Sequence, residues 1–197
     1  ADGALVLQHL VYRHAAPWVA GTVYVNRTRT VHVVIIPGDL KERAHYRLET
    51  WIRATFASAA GLNIETKVIS RRDKSARIDR MRPIEEAVAR TSLNTLLQLW
   101  HQMRQRPVPF KPATSAAIFK KLELGDVRGT ARKEWDIHYN GLPGDGDDTA
   151  AQLVWRGQDP FVGATLDEWQ ELATVVFKRV EDWVAGAEED KAGVVHE

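Results

Sequence analysis

GLNIETKVIS, Gly61–Ser70, decides how the first half of this chain is read. Before it, apolar residues recur at helical spacing: Ala44, Leu48, Trp51, Ile52, Thr55 and Ala59 share one face of a helix expected over Leu40–Ala60. Gly61 has the residue type that ends such a helix in a left-handed turn. From Ile64 the β-branched residues point to a strand, and that strand carries Glu65-Thr66-Lys67. An aspartate upstream, Asp39, followed later by E-x-K is the outline of a magnesium-dependent nuclease site. There, carboxylates and a lysine gather on a metal ion that activates water and holds the scissile phosphate.

Outward from this stretch, the first third reads as three strands, ALVLQHLVY, WVAGTVYV and RTVHVVII, separated by RHAAP and NRTR. The third is almost wholly apolar after Val31, the pattern of a strand covered on both faces. Asp39 and Glu42 form a capping box at the start of the expected helix, which gives Asp39 a structural role. Beyond Ser70, RRDKSARIDRMR reads as a basic turn or hairpin, and a long helix is expected from Pro83 with Ile84, Ala87, Val88, Leu96, Leu97, Trp100 and Met103 on one side. RQRPVPFKP interrupts it, because three prolines favour an extended path. Shorter helices follow in TSAAIFKKLE and TARKEWDIHYNG; after the loop LPGDGDD come DDTAAQLVWRG and TLDEWQELATVVFKRVEDWV. The expected organisation is an α/β core over residues 1–82 of restriction-endonuclease type (three strands, helix, strand), a helical region over 83–187 packed on it, and a flexible tail over 188–197.

Composition narrows the chemistry. The 197 residues are 44% hydrophobic and 27% charged, with net charge +1, so any nucleic-acid signal has to be local. There is no cysteine, which excludes disulfides and thiolate chemistry and fits a cytoplasmic protein. No apolar run reaches membrane-span length, and ADGALVLQHLVY lacks the basic start and cleavage site of a signal peptide. The chain opens directly in a strand pattern, as a piece of a longer protein does. The seven histidines show no H-x-x-x-H or H-E-x-x-H spacing, and no P-loop, G-x-G-x-x-G or G-x-S-x-G occurs, so neither metal nor cofactor is expected. GDGDD lacks the closing glutamate of a calcium loop and reads as a helix N-cap. Trp51, Trp100, Trp135, Trp155, Trp169 and Trp183 lie on apolar helix faces and read as core.

The nuclease reading meets two obstacles. In a nuclease of this fold the metal-binding acids sit on the central hairpin, here GTVYV with VHVVII, where the acid position after the glycine is Tyr24 and the next strand offers Val34 and Ile35 instead of acid and lysine. Asp39 and Glu65 flank the helix instead, and a helix of about twenty residues spans roughly 30 Å. The local charge lies in Lys67–Arg82, where Arg71, Arg72, Lys74, Arg77, Arg80 and Arg82 form a patch that suits phosphate, a partner subunit or simply a solvated hairpin.

The order and spacing of RLETWIRATFASAAG, RMRPIEEAVARTSLNTLLQLWHQMRQRPVPFKPATSAAIF, ARKEWDIHYNGLPGDGDDTAAQLVWRGQDP and FKRVEDW resemble the C-terminal domain of the exodeoxyribonuclease V gamma-subunit (RecC) family. The resemblance implies a nuclease-like domain that has lost its catalytic residues, within a subunit that works with a helicase–nuclease beta subunit and a helicase alpha subunit on broken DNA ends. It implies Tyr24, Val34 and Ile35 as degenerate active-site positions, no cofactor, and contact with DNA through the assembled complex. The competing readings are an active metal nuclease using Asp39, Glu65 and Lys67, and a helical protein-interaction domain.

Overall fold

The computed structural model describes residues 4–13, 18–72, 75–136 and 143–189. These separate into two compact units, one from Ala1–Trp100 with Asp182–Glu197 and one from His101–Glu181.

The first unit is built on a mixed sheet. Its strands are β1 (Leu5–Arg13), β2 (Trp18–Asn26), β3 (Val31–Ile35), β4 (Glu65–Arg72), β5 (Ser75–Met81) and the two-residue β6 (Glu188–Glu189), in that spatial order. Neighbours are antiparallel except β3 and β4, which run parallel with Val31 beside Glu65 and Ile35 beside Ile69. A parallel pair cannot be joined by a tight turn. The crossover is made by α1 (Ala44–Ala59). The basic stretch after Ser70 is the β4–β5 hairpin, with Arg71 opposite Ala76.

One face of the sheet carries the core. Tyr12, Val23 and Val25 pack with Phe56, Ala57 and Ala59 of α1 and with Ala89 and Leu93 of α2 (Glu86–Gln105). Val34, Ile36, Leu40, Val68 and Met81 form a second cluster, joined by Tyr46, Trp183 and Ala187. Gly21 makes the first cluster possible: a Cβ there would lie 3.2 Å from the Phe56 ring. Burying a phenylalanine side chain contributes about 1.5–3 kcal/mol, so the close approach of β2 to α1 is favoured. The described residues leave the other face open: Leu7, Tyr24 and Ile35 are exposed there, and Val33, Lys67, Ile69, Ile78 and Arg80 partly exposed. Strand β3 is therefore covered on one face, not two: His32, Val34 and Ile36 are buried, whereas Ile35 is exposed.

Several boundaries differ from expectation for local reasons. Helix α1 starts at Ala44, and Arg43 at its N-cap makes no side-chain cap. Asp39 instead accepts the N–H of Lys41 at 2.8 Å in the turn before the helix, and Arg47 donates to the Lys41 carbonyl at 2.6 Å. The expected Asp39–Glu42 capping box is thus a separate turn. At the other end the Gly61 N–H bonds to Ser58 O and the Leu62 N–H to Ala57 O, the paired bonds of a Schellman motif. Helix α2 buries Ala89, Ser92, Leu93 and Leu99, so its buried stripe is rotated from the expected one, and Val88, Trp100 and Met103 are exposed.

The second unit is helical: α3 (Pro112–Lys121), α4 (Val127–Asp136), a 3-10 turn at Asp145–Asp147 and α5 (Thr149–Trp155), with most of α6 (Gly163–Ala185). Pro112 at the first turn starts α3 two residues before the expected Thr114. Ile118, Ala131, Phe161, Trp169 and Ala173 form its core. Trp135 meets the rings of Phe161 and Trp169 edge-on, at 5.6 and 6.1 Å between centroids. Residues 137–142, expected to end a helix, and 190–197 of the expected tail lie outside the described residues, while Glu188 and Glu189 pair with β5.

Gly61 has φ +88°, a left-handed conformation that costs other residues roughly 1–2 kcal/mol. Gly61→Ala is expected to lower unfolding free energy by that amount in urea titration, whereas an unchanged midpoint would mean the turn adapts. His32 gives a pH signature. It is buried beside Thr66, with Nδ1 3.2 Å from Oγ1. Burial first, then the charge of Arg53, lowers its pKa from 6.5 to about 4. The unfolded chain takes up a proton near 6.5 and the folded chain only near 4. This contribution is therefore intact above pH 6.5 and is lost as pH falls to about 4, to a total of about 3 kcal/mol. His32→Gln should flatten the decline in stability between those pH values, and an equal decline in both proteins would contradict it.

Candidate functional site

Strand alternation sorts the candidate residues onto two faces. Leu7 pairs with Tyr24, and the Val25–His32 pairing sets Tyr24 beside Val33. Val33 lies beside Lys67, and Lys67 beside Arg80. Leu7, Tyr24, Val33, Lys67 and Arg80 thus form one row across the open face. Ile35, Ile69 and Ile78 form the next. Tyr24 is 51% and Ile35 67% exposed. Val34 points the other way into the core cluster with Val68 and Met81. Of the three positions expected to be degenerate, Tyr24 and Ile35 share a face and Val34 does not, because adjacent strand residues face opposite sides.

Glu65 and Lys67 also lie on the open face, two residues apart on β4, about 6–7 Å. Asp39 is elsewhere. The Arg71 N–H bonds to Gly38 O, and Arg71 is six residues along β4 from Glu65, about 20 Å. Magnesium ligands sit at about 2.1 Å, so one ion cannot reach both carboxylates. Asp39 is buried and engaged with the turn before α1. Among the described residues of β1–β5, Glu65 is the one carboxylate on the open face, and no group of three or more His, Cys, Asp or Glu side chains is placed to hold a metal ion.

The basic patch is divided in the same way. Arg77 is buried on the covered face, where Nε donates to both Asp79 oxygens at 3.0 and 3.1 Å and an Nη lies 2.9 Å from Oδ1. The i, i+2 spacing on one strand makes this pair, and it removes Arg77 from any surface offered to phosphate. Arg80 stands beside Lys67 on the open face, and Arg71 is exposed where β4 ends. Arg72 closes the hairpin register opposite Ser75. Arg82 follows β5 and donates to Glu188 at 3.0 Å. Lys74 lies outside the described residues. The juxtaposition of Lys67 with Arg80 was not recoverable from spacing along the chain, since it depends on the β4–β5 register.

In the helical unit the acidic loop serves the fold. Asp145 accepts the Thr114 N–H and hydroxyl at 2.9 and 2.8 Å. Asp147 accepts the Gly144 N–H, and Asp148 caps α5 through the Ala150 N–H. The Lys111 ammonium and that N–H hold the Asp148 carboxyl below the usual range. A cavity of about 330 Å³ lies among Arg132, Trp135, Asp136, Gln152, Trp155 and Asp159. Arg128 and Arg132 both pair with Asp159 at its wall.

Asp79→Ala is expected to destabilise the chain by about 3–5 kcal/mol in urea unfolding, because it takes the carboxylate away from a buried guanidinium. Replacing both partners, Arg77→Met with Asp79→Leu, should cost less. Equal losses would refute the pair.

Among curated proteins none matches the chain. The family model described as RecC C-terminal domain matches residues 6–123, more than half the chain, taking in β1 from its second residue and all of β2–β5, α1, α2 and α3. The chain belongs to the RecC C-terminal domain family.

Proposed function

We propose that this chain is a non-catalytic, nuclease-like module of the gamma subunit of a RecBCD-type helicase–nuclease that processes double-strand DNA ends in recombinational repair. Its role is to scaffold the complex with the alpha and beta subunits, in the cytoplasm. The observation that carries this reading is the open face of the central hairpin, where Tyr24 and Ile35, two of the three expected degenerate positions, stand among apolar neighbours such as Val33, while the third, Val34, faces the core. Family membership supplies the assembly. The strand–strand–strand–helix–strand order, with β3 parallel to β4 across α1, supports a restriction-endonuclease-like ancestry for residues 1–82, extended by the helical region 83–187. Among the described residues no helix is long and apolar enough to cross a membrane.

A second role, lining the DNA path, is favoured by the adjacent Lys67 and Arg80. Two adjacent cations on a sheet face suit phosphate contact without base reading. That role predicts weak, sequence-independent binding that falls with salt. The test is incubation with linear duplex and single-stranded DNA in magnesium or manganese. No cleavage is expected, and binding of the Lys67→Ser/Arg80→Ser protein should show a flatter salt dependence. Cleavage abolished by Glu65→Ala would establish the nuclease reading instead.

A further inference from the structure

We propose that the C-terminal strand β6 is an acidic strap, in which Glu188 holds the place of a nucleic-acid phosphate beside the cations of the open face and competes with phosphate for them. The register carries this. Lys67 lies opposite Arg80, and Arg80 lies opposite Glu188. Directly opposed residues of antiparallel strands share a face, so the row of Leu7, Tyr24, Val33, Lys67 and Arg80 is continued by a carboxylate. Arg82, two residues beyond Arg80, donates from Nη2 to Glu188 Oε1 at 3.0 Å. A carboxylate and a phosphodiester offer arginine the same kind of anionic acceptor. Neighbouring strands lie about 4.8 Å apart, so Glu188 stands about 10 Å from Lys67 and closer to Arg80, within the range that salt leaves unscreened.

The strap is anchored at its root and lightly held at its tip. Trp183 donates its indole N–H to the Arg82 carbonyl at 3.0 Å, and Ala187 packs with the cluster of Val34, Val68 and Met81. The Ala187 N–H bonds to Val184 O at 3.1 Å in the turn that follows α6. Beyond Ala187 the described hold is two paired residues, Glu188 opposite Arg80 and Glu189 opposite Asp79, and the ion pair with Arg82. In that pair the Arg82 and Glu188 side chains are 74% and 68% exposed, and so wetted a pair holds weakly. Tethering keeps the carboxylate at high local concentration beside Arg80 and Arg82. A single phosphate therefore competes poorly, whereas several linked phosphates displace it. The sequence fits an electrostatic role, since the acids run consecutively through Glu188, Glu189 and Asp190.

That the displacing phosphates belong to DNA rests on the proposed DNA-lining role of Lys67 and Arg80; the contact of β6 with β5 does not. The probes are a single-stranded oligonucleotide and inorganic tripolyphosphate, each titrated into the full chain at low salt. Glu188→Gln keeps the side-chain shape and removes the charge. It is expected to tighten binding of both probes by about fivefold, the effect of one carboxylate at contact range in water. The gain should be lost when Arg80 and Arg82 are also replaced by serine. Asp167→Asn, the same change of net charge at an exposed residue of α6, should give none. Tripolyphosphate that responds to Glu188→Gln while the oligonucleotide binds neither protein would support the strap and count against DNA. Oligonucleotide binding that depends on Lys67 and Arg80 but is unchanged by Glu188→Gln would overturn the strap and leave the DNA-lining role standing. Equal gains from Glu188→Gln and Asp167→Asn, a gain that survives loss of both arginines, or no binding of either probe would also overturn it.

Discussion

The parallel pairing of β3 with β4 fixes where Asp39, Glu65 and Lys67 lie relative to one another. Parallel strands require a crossover, and α1 supplies it. A residue just before the crossover therefore sits at the far end of the sheet from one just after it. Asp39 and Glu65 are the two residues in that relation, and the topology that brings E-T-K onto the open face is what separates it from the upstream aspartate. The same pairing sets Lys67 beside Val33, and the hairpin that follows sets Arg80 beside Lys67. A one-residue change of register would invert all these placements.

Much of this was legible in the residues. Branched and aromatic runs marked the strands, the period change at Leu40 marked α1, and Gly61 marked its end. What could not be read was which side each residue faces and what lies beside it. RTVHVVII looks like a strand covered twice, yet its apolar Ile35 is exposed on a face that the described residues leave open. Arg77 looked like one of six surface cations, but Asp79, two residues along the same strand, holds it in the core. Asp39 and Glu42 have capping-box spacing, and a turn intervenes before the helix. Each miss has one cause: local pattern gives conformation, whereas burial follows from partners distant in sequence.

Function is legible in a similar measure. Family membership follows from a pattern spread over β1–β5 and the first three helices. The hairpin supplies the chemistry, since a tyrosine and two aliphatic side chains on the open face cannot hold a divalent ion by themselves. The same side chains make the face apolar.

The central claim, that the open face is not a metal site, is tested most directly by titrating magnesium and then manganese into the isotope-labelled chain and following backbone amide resonances. The account predicts no saturable change in β2, β3 and β4. Saturable shifts or line broadening centred on Tyr24, Val33, Glu65 and Lys67 would contradict it.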